Sequence, residues 1–463
     1  MRNNMQPVIV GLDLGTTKTV AIAAKKNESG KLEVLGFGET ESVGVNNGVV
    51  LNLEQCMSSI NLAIKKCIAS NPELDIKDVY VGISGQHIKN LKTRGERSRR
   101  TDGYEISKKD VDMLISEQYK TYIPDTDQII DVIPHSFVVD NTCYVDDPIG
   151  ICGSKISASF NIITSDKNAI RNIKRSVEKT GLNIKNIALQ ALASTVAVTN
   201  KEDLEEGVAI VDIGGSTTDI AIFCDGVLKH TGVIPCGGVN ITNDIRTGLG
   251  ILRSQAELLK IQYGNAMATG IDPDKYITVA GLRGLPNKEI SLKMLAIIIE
   301  EAMQEIIDYI VYHLRQLNLD KSLNGGIILT GGGAQLKNIL QFTRQISGMN
   351  VRLGTSEEYL TGTYSDVLTK PAYATCVGLI LKGYAEYENA LAPVQPQTAA
   401  IIDEPAPLVS AEAAFPVVVI EKTENKRMEL PKVKTSTRFL RITTLVKNSF
   451  MGLFEEIEEE ARA

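Results

Sequence analysis

Two short segments carry residue types that could hold a polyphosphate. The first, GLDLGTTKT (11–19), places Asp13 at the end of an apolar run and follows it with Gly15, Thr16, Thr17 and Lys18. Gly15 lets backbone approach an anion closely and adopt conformations closed to other residues. The two threonines add hydroxyls and backbone N–H groups to an anion-binding nest. Lys18 supplies a point charge, and Asp13 is placed to hold a water on Mg²⁺. The second segment, DIGGSTTDI (212–220), repeats the pattern with Asp212, Gly214, Gly215, Ser216 and Thr217. One such turn is an ordinary hairpin. Two in corresponding places predict a triphosphate clamped between hairpins, with Asp13 and Asp212 serving its metal.

Two other segments could face the rest of a nucleotide. LTGGGAQLKNI (329–339) sets Gly332 and Gly333 between an apolar strand and a helix. Backbone without side chains can lie flat against a purine or ribose, and the same sequence also makes a simple strand-to-helix turn. SQAELLKIQYG (254–264) puts Glu257 and Lys260 three residues apart, hence on one helical face, a spacing also common on solvated helices.

The elements that must position these residues alternate between strand and helix. QCMSSINLAIKKCIAS (55–70) is amphipathic, with Ile60, Ile64, Cys67 and Ile68 on one face. Residues 291–318 predict a long helix without internal Gly or Pro. Apolar strands at 79–84 and 325–333 end in Ser or Gly. The class is α/β, with ligands at strand ends.

With 463 residues, 43% hydrophobic, the chain can build two domains with their own cores. A net charge of −7 argues against nucleic acid as the main ligand. The basic run KTRGERSRR (92–100) has no aromatic residues near it and is expected to be an exposed loop. Seven cysteines without a CxxC pair are expected to be reduced thiols. His87, His135, His230 and His313 lack metal-ligand spacing and are expected to be structural or surface residues. No Gly-x-Ser-x-Gly elbow supports acyl transfer. Neither a signal peptide nor an 18-residue apolar window is present, so no bilayer span is expected.

Residues 388–431 are Pro-rich and read as a flexible linker. Beyond them, 432–463 form an amphipathic pattern with an acidic end. On a helical wheel Phe439, Ile442, Val446, Phe450, Leu453 and Phe454 share one face, while Arg438, Arg441, Asn448 and Gly452 lie opposite. Five cations and no anion between Lys432 and Phe454 suit an anionic lipid leaflet, and a helix docking on the body or on a partner is the competing reading.

The order of these motifs resembles the actin-like ATPase superfamily and, within it, the FtsA family of bacterial cell-division proteins. VGISGQHIKN (81–90), DDPIGICGSKI (147–156), VDIGGSTTDIAIF (211–223), IPCGGVNITNDI (234–245), GIILTGGGAQLKNI (326–339), IALQALAST and PAYATCVGLI carry the likeness, which covers roughly 6–385. It implies an actin-like two-domain ATPase fold with a nucleotide cleft. The first domain would span 1–205 with an inserted subdomain, 1C, at about 85–162. The second would span 206–387, with subdomain 2B at about 248–322. It implies ATP and Mg²⁺, with Asp13 and Asp212 serving the metal through water. Gly15, Thr16, Thr17, Lys18, Gly214, Gly215, Ser216 and Thr217 would hold phosphates. Gln190 would stand near the attacking water, and Gly238, Glu257, Lys260, Gly332 and Gly333 would frame adenosine. Turnover would be that of a weak, Mg-dependent polymer switch.

The resemblance further implies self-association into filaments on the inner face of the cytoplasmic membrane at the division site. There the chain would bind anionic lipid and the C-terminal peptide of the tubulin-like protein FtsZ, and recruit other division proteins. Many sequences of the family carry an Arg in the 2B helix where this chain has Ala302, and the family's terminal amphipathic helix usually lies at the very end, whereas this chain adds EEIEEEARA. A type IV pilus assembly platform and a small-molecule kinase share the superfold and are the alternative readings. A kinase would need a carboxylate base beyond the metal-serving Asp pair.

Overall fold

The computed structural model describes residues 6–391, apart from 100–104, 142, 282–285 and 320. The chain opens with an antiparallel meander of β1 (Ile9–Leu14), β2 (Lys18–Lys26) and β3 (Leu32–Glu41). A short hairpin of β4 (Val45–Asn46) and β5 (Val49–Val50) leads to α1 (Leu53–Ser70) and β6 (Asp78–Ile83). The Asn52 side chain caps α1 by accepting from the Gln55 N–H at 3.1 Å, and Ile60, Ile64 and Cys67 are buried as the periodicity predicts.

After β6 the chain leaves this sheet for β7 (Lys89–Ser98), α2 (Lys108–Gln118), β8 (Asp127–Val139), β9 (Cys143–Val145) and β10 (Lys155–Asp166). These strands form a separate sheet, ordered β7-β10-β8-β9, with its own core around Leu114, Phe137, Ile156, Phe160 and Ile162. This is the inserted subdomain. The chain returns through α3 (Lys167–Glu178), β11 (Asn183–Leu189), α4 (Gln190–Val198) and α5 (Lys201–Glu206).

The second domain begins with another meander, β12 (Val208–Ile213), β13 (Thr218–Cys224) and β14 (Val227–Ile234). It continues through α6 (Gly238–Leu249), α7 (Arg253–Tyr263), β15 (Tyr276–Val279), β16 (Lys288–Ser291), α8 (Leu292–Gln316), β17 (Gly326–Thr330), α9 (Ile339–Ser347) and β18 (Val351–Leu353). Its sheet runs β14-β13-β12-β17-β18. Then β19 (Leu360–Thr361), α10 (Ser365–Leu368) and α11 (Ala374–Leu391) carry the chain back to the first domain, where β19 pairs with β3 in the order β11-β6-β1-β2-β3-β19. The first domain is therefore built from both ends of the described chain.

Side-chain parity explains the layers. Val10, Leu12 and Leu14 of β1 face a core shared with α1 and α3. Ala209, Val211 and Ile213 of β12 face the core formed with α6, α8 and α9. The opposite faces, including Ile9, Val20, Ile22, Val208, Ile210 and Ile328, meet α4 and α11 in one interdomain core. Because side chains alternate along a strand, Asp13 and Asp212 lie on these opposite faces, looking toward each other across the α4–α11 pair.

Two expectations change, one on the basic run 92–100 and one on where the linker starts. The basic run 92–100 is not a loop through its first seven residues. It is edge strand β7, paired with β10 from Lys92↔Asn161 to Ser98↔Lys155. The apolar alternation that buries this pair belongs to β10, so β7 itself shows none. Ala302 is 2% exposed and packed in the second domain's core, so it presents nothing to a partner. Helix α11 runs through Leu391, past the expected start of the linker, and Glu388 pairs with Lys26. The rest of the linker and the tail residues Phe439, Ile442, Val446, Phe450, Leu453 and Phe454 lie outside the described residues. Among the described residues no helix is long and apolar enough to cross a membrane.

Candidate functional site

The two hairpins superimpose residue for residue in their pairing. Asp13 pairs with Val20 and Leu14 with Thr19, and the turn closes with the Gly15 N–H on the Lys18 carbonyl at 3.1 Å. Asp212 pairs with Asp219 and Ile213 with Thr218, and the Gly214 N–H bonds the Thr217 carbonyl at 2.8 Å. Gly15 does not have positive φ, contrary to expectation. The residue is glycine for room, since a Cβ there would lie 2.7 Å from the Lys18 carbonyl oxygen. The turns touch across the cleft: the Thr16 and Ser216 hydroxyls are 2.6 Å apart. At the N-terminus of α6 the N–H groups of Gly238 and Val239 bond the Gly214 and Gly215 carbonyls, which pins the second turn.

The cavity between the domains has a volume of about 510 Å³, within the usual range for small-ligand sites. Every residue expected to serve catalysis or nucleotide lines it except Ser216, which is buried behind it and bonded to Thr16 and the Asn47 N–H. Gln190, at the start of α4, donates from Nε2 to Asp13 Oδ1 at 2.7 Å. One turn further along α4, Ser194 donates to Asp212 Oδ2 at 2.6 Å, and Thr375 at the start of α11 donates to the same oxygen at 3.0 Å. The helix pair between the domains thus fixes both carboxylates.

Lys18 is bracketed from the side. Its ammonium lies 3.7 Å from the centre of the Tyr373 ring and 4.0 Å from Glu39, whose carboxylate accepts from the Tyr373 hydroxyl at 2.6 Å. On the other wall Lys260 Nζ donates to Glu257 at 2.8 Å and to the Gly238 carbonyl and Thr242 hydroxyl at 2.9 Å. Gly332 has no atom within 4 Å of where its Cβ would stand. Gly331 has φ +84°, and its Cβ would fall 2.3 Å from Asp212 Oδ1. Ile241, Ile261 and Leu336 give this end of the cavity an apolar lining.

Sequence reasoning missed Asp219, Ser84, Ser194, Thr375, Glu39 and Tyr373. Asp219 was within the quoted motif, and a four-residue turn places it directly opposite Asp212. Ser194 was signalled by its position four residues after Gln190 on one helix face. Glu39 comes from a distant strand, and Ser84, Tyr373 and Thr375 lie within VGISGQHIKN and PAYATCVGLI, where nothing local says that they face this site.

Burial first, and then repulsion from Asp212, raises Asp13 to about 7. Burial raises Asp219 to about 7 as well, and Asp212 is also raised by burial. Three carboxylates desolvated in one cleft are a fit for a divalent cation, which would relieve their repulsion. Among the described residues no three His, Cys, Asp or Glu side chains converge closely enough to hold a metal by themselves, so coordination would run through water and phosphate oxygens.

These shifts have a consequence for stability. A carboxylate with a raised folded-state pKa stabilises the fold at low pH, and that contribution is lost as pH climbs through the folded value. The nucleotide-free chain is expected to lose melting temperature between about pH 4 and 7, from the ordinary carboxylate value of 3.8 up to the folded value of about 7 shared by Asp13 and Asp219. Asp219→Asn should reduce the slope. A variant melting profile as steep as the parent's over that range would refute this assignment.

The site and fold match known proteins. A family model described as cell division protein FtsA matches residues 209–378, and one described as the SHS2 domain inserted in FtsA matches 85–164. Cell division protein FtsA of Pseudomonas aeruginosa is 34% identical over 384 residues, covering 83% of this chain and 91% of that protein. Among solved structures, a PilM–PilN type IV pilus biogenesis complex aligns with TM-score 0.58 at 13% identity, over 81% of this chain and 98% of that one. MreB 5 of Spiroplasma citri bound to AMPPNP aligns with TM-score 0.50 at 16% identity, over 83% of this chain and 98% of that one. At such identities these two likenesses establish the actin-like fold alone.

Proposed function

The chain belongs to the FtsA family of cell-division proteins, and from that membership we propose that it binds ATP with Mg²⁺ and assembles into membrane-bound filaments that tether FtsZ. The observation that carries the nucleotide part is the facing pair of hairpins, each with a buried aspartate at its strand end. The AMPPNP-bound MreB of the same fold supports it. Phosphates would lie between the turns, taking backbone N–H groups from 16–17 and 215–217, hydroxyls from Thr17 and Thr217, and charge from Lys18. Asp13 and Asp212 would hold Mg²⁺ through water, with Asp219 nearby, and the bound ion would offset phosphate charge. Gln190, oriented by Asp13, would orient the attacking water. Glu257 and Lys260 would meet the ribose, and Gly332 and Gly333 the base.

Slow turnover suits a polymer switch, in which hydrolysis sets lifetime rather than throughput. The family relationship favours division over a pilus platform, whose likeness here is of fold alone. It also favours division over a small-molecule kinase. The FtsZ peptide would be met by subdomain 2B, through surface other than the buried Ala302. Calorimetric titration with ATP and Mg²⁺, and with an FtsZ C-terminal peptide, tests both claims; absent heats in either titration would remove that claim.

Membrane attachment is assigned to the tail, 432–463. Burying its apolar face would contribute on the order of 10 kcal/mol, and ordering about fifteen residues costs a comparable amount. A single tail therefore binds weakly, and a filament gains avidity by presenting many. Glu455 to Glu460 would stay in water and lower affinity. Substituting Phe450→Glu and Phe454→Glu is expected to release the full chain from anionic vesicles in co-sedimentation while leaving ATP binding intact. Pelleting equal to the parent's would end the anchor reading.

A further inference from the structure

We propose that the inserted subdomain, though threaded through the first domain, is latched to the second, so that movement of the cleft turns it. Asn161 of β10 is 3% exposed and donates from Nδ2 to the Leu228 carbonyl at 2.7 Å. Asn90 of β7 donates to the Thr231 carbonyl, and the Thr231 hydroxyl donates back to Asn90 Oδ1 at 2.7 Å. Leu228 and Thr231 both belong to β14, the edge strand of the second domain's sheet. An edge strand leaves one row of carbonyls without a strand partner. In addition, the β13–β14 ladder slips between Ile222↔His230 and Phe223↔Leu228, a bulge next to the first latch point. Two side-chain amides from the inserted subdomain take the place of a neighbouring strand.

Apolar contacts surround the latch. Ile88, Ile130, Ile133 and Ile163 of the inserted segment share one cluster with Ala221, Phe223 and Leu228 of the second domain and with Leu189, Ala191 and Leu192 of the first. A third tie reaches the cleft. Ser84 is the last residue before the inserted subdomain, and its hydroxyl donates to Asp219 on the second hairpin. Asp219 and Ala221 on β13 pair with Val233 and Thr231 on β14, so the phosphate hairpin and the latch are separated by two strand positions. A buried amide that loses its carbonyl leaves unmet polar groups on both sides. When the second domain rotates, the inserted subdomain follows β14 rather than leaving Asn161 unpaired.

The proposal rests on the nucleotide-binding reading for the stimulus, and its test separates the two. Cys143 and Cys152, both in the inserted subdomain, are the exposed cysteines, and the other five are buried. In a Cys143→Ser chain, spin labels at Cys152 and at Lys31→Cys report the inserted subdomain against the first domain. Labels at Cys152 and Lys321→Cys report it against the second. Labels at Lys31→Cys and Lys321→Cys, with Cys152→Ser added, report the cleft. With Mg²⁺ and ATP the 31/321 and 31/152 distances should shift together. In Asn90→Ala with Asn161→Ala, the 31/321 shift should persist and the 31/152 shift should vanish. Thr231→Val, which deletes a single hydroxyl and is a mild change, should lose part of it.

Without nucleotide, the 152/321 distribution should be narrow in the parent and broader in the double variant. If 31/321 shifts in the parent while 31/152 does not, or if both variants keep the full 31/152 shift, the latch is overturned. If ATP gives no binding heat, the nucleotide reading fails and the 152/321 distributions decide the latch alone. Equal widths in parent and double variant would then refute it.

Discussion

Asp212→Ala is expected to weaken binding of ATP with Mg²⁺ by ten- to a hundredfold. The carboxylate is 8% exposed and held by two hydroxyl donors, Ser194 and Thr375, so its direction is fixed before any ligand arrives. Losing a charge-assisted contact of this kind costs about 1.5–3 kcal/mol. The same change should not unfold the protein. Burial raises the pKa of Asp212, and its charge contributes to raising that of Asp13, so the nucleotide-free chain is relieved of repulsion when it goes. The two hydroxyls already lie 2.9 Å apart and can bond each other. Asp212→Asn keeps an acceptor for both donors and is the cleaner variant for the stability half. Weak binding with an undiminished melting temperature is the expected pair of results. Affinity within twofold of the parent in both variants would remove Asp212 from the metal site.

That separation between binding and stability also explains what the sequence reveals. The phosphate hairpins are local objects: Asp, Gly and hydroxyl residues adjacent in sequence become adjacent in space, so two copies can be read by eye. The carboxylates' supports are not local. Gln190 reaches Asp13 across 177 positions and Thr375 reaches Asp212 across 163. Gln190 is legible through resemblance, but nothing in its neighbourhood says which aspartate it meets. The basic run at 92–100 misleads for a related reason. A strand whose partner supplies the whole apolar face carries no alternation of its own, so β7 is visible only through β10. The Glu257–Lys260 pair shows the limit of spacing in the other direction. Its geometry on α7 is as expected, but its burial against Gly238 and Thr242 comes from α6. The long helix α8 is plain in the sequence because its apolar stripe is continuous, yet the same pattern does not show that Ala302 faces inward.

Gly378 belongs to PAYATCVGLI, a motif with no polar residue to explain it beyond Tyr373 and Thr375. Its role is steric. It lies in α11 where that helix crosses α4, and a Cβ there would stand 1.8 Å from the Ala193 carbonyl oxygen and 2.4 Å from its carbon. Alanine is the better helix former by about 0.8–1 kcal/mol, so propensity alone predicts that Gly378→Ala stabilises. Overlap with a backbone carbonyl opposes this, and no rotamer change can relieve it. Separating packed helices to admit a methyl group costs about 1–3 kcal/mol and sometimes more. At so short a distance the upper end applies, and the net loss should be about 2 kcal/mol. For domains of this size that lowers the melting temperature by roughly 4–8 °C. Because α4 carries Gln190 and Ser194 and α11 begins beside Thr375, ATP affinity should fall with it. Gly332→Ala is the opposing control. Nothing stands within 4 Å of its Cβ position, which lines the cleft, so the added methyl should obstruct the nucleotide and spare the melting temperature. Gly378→Ala melting at or above the parent, or Gly332→Ala melting as low as Gly378→Ala, would show that the α4–α11 crossing does not set the spacing of the two aspartates.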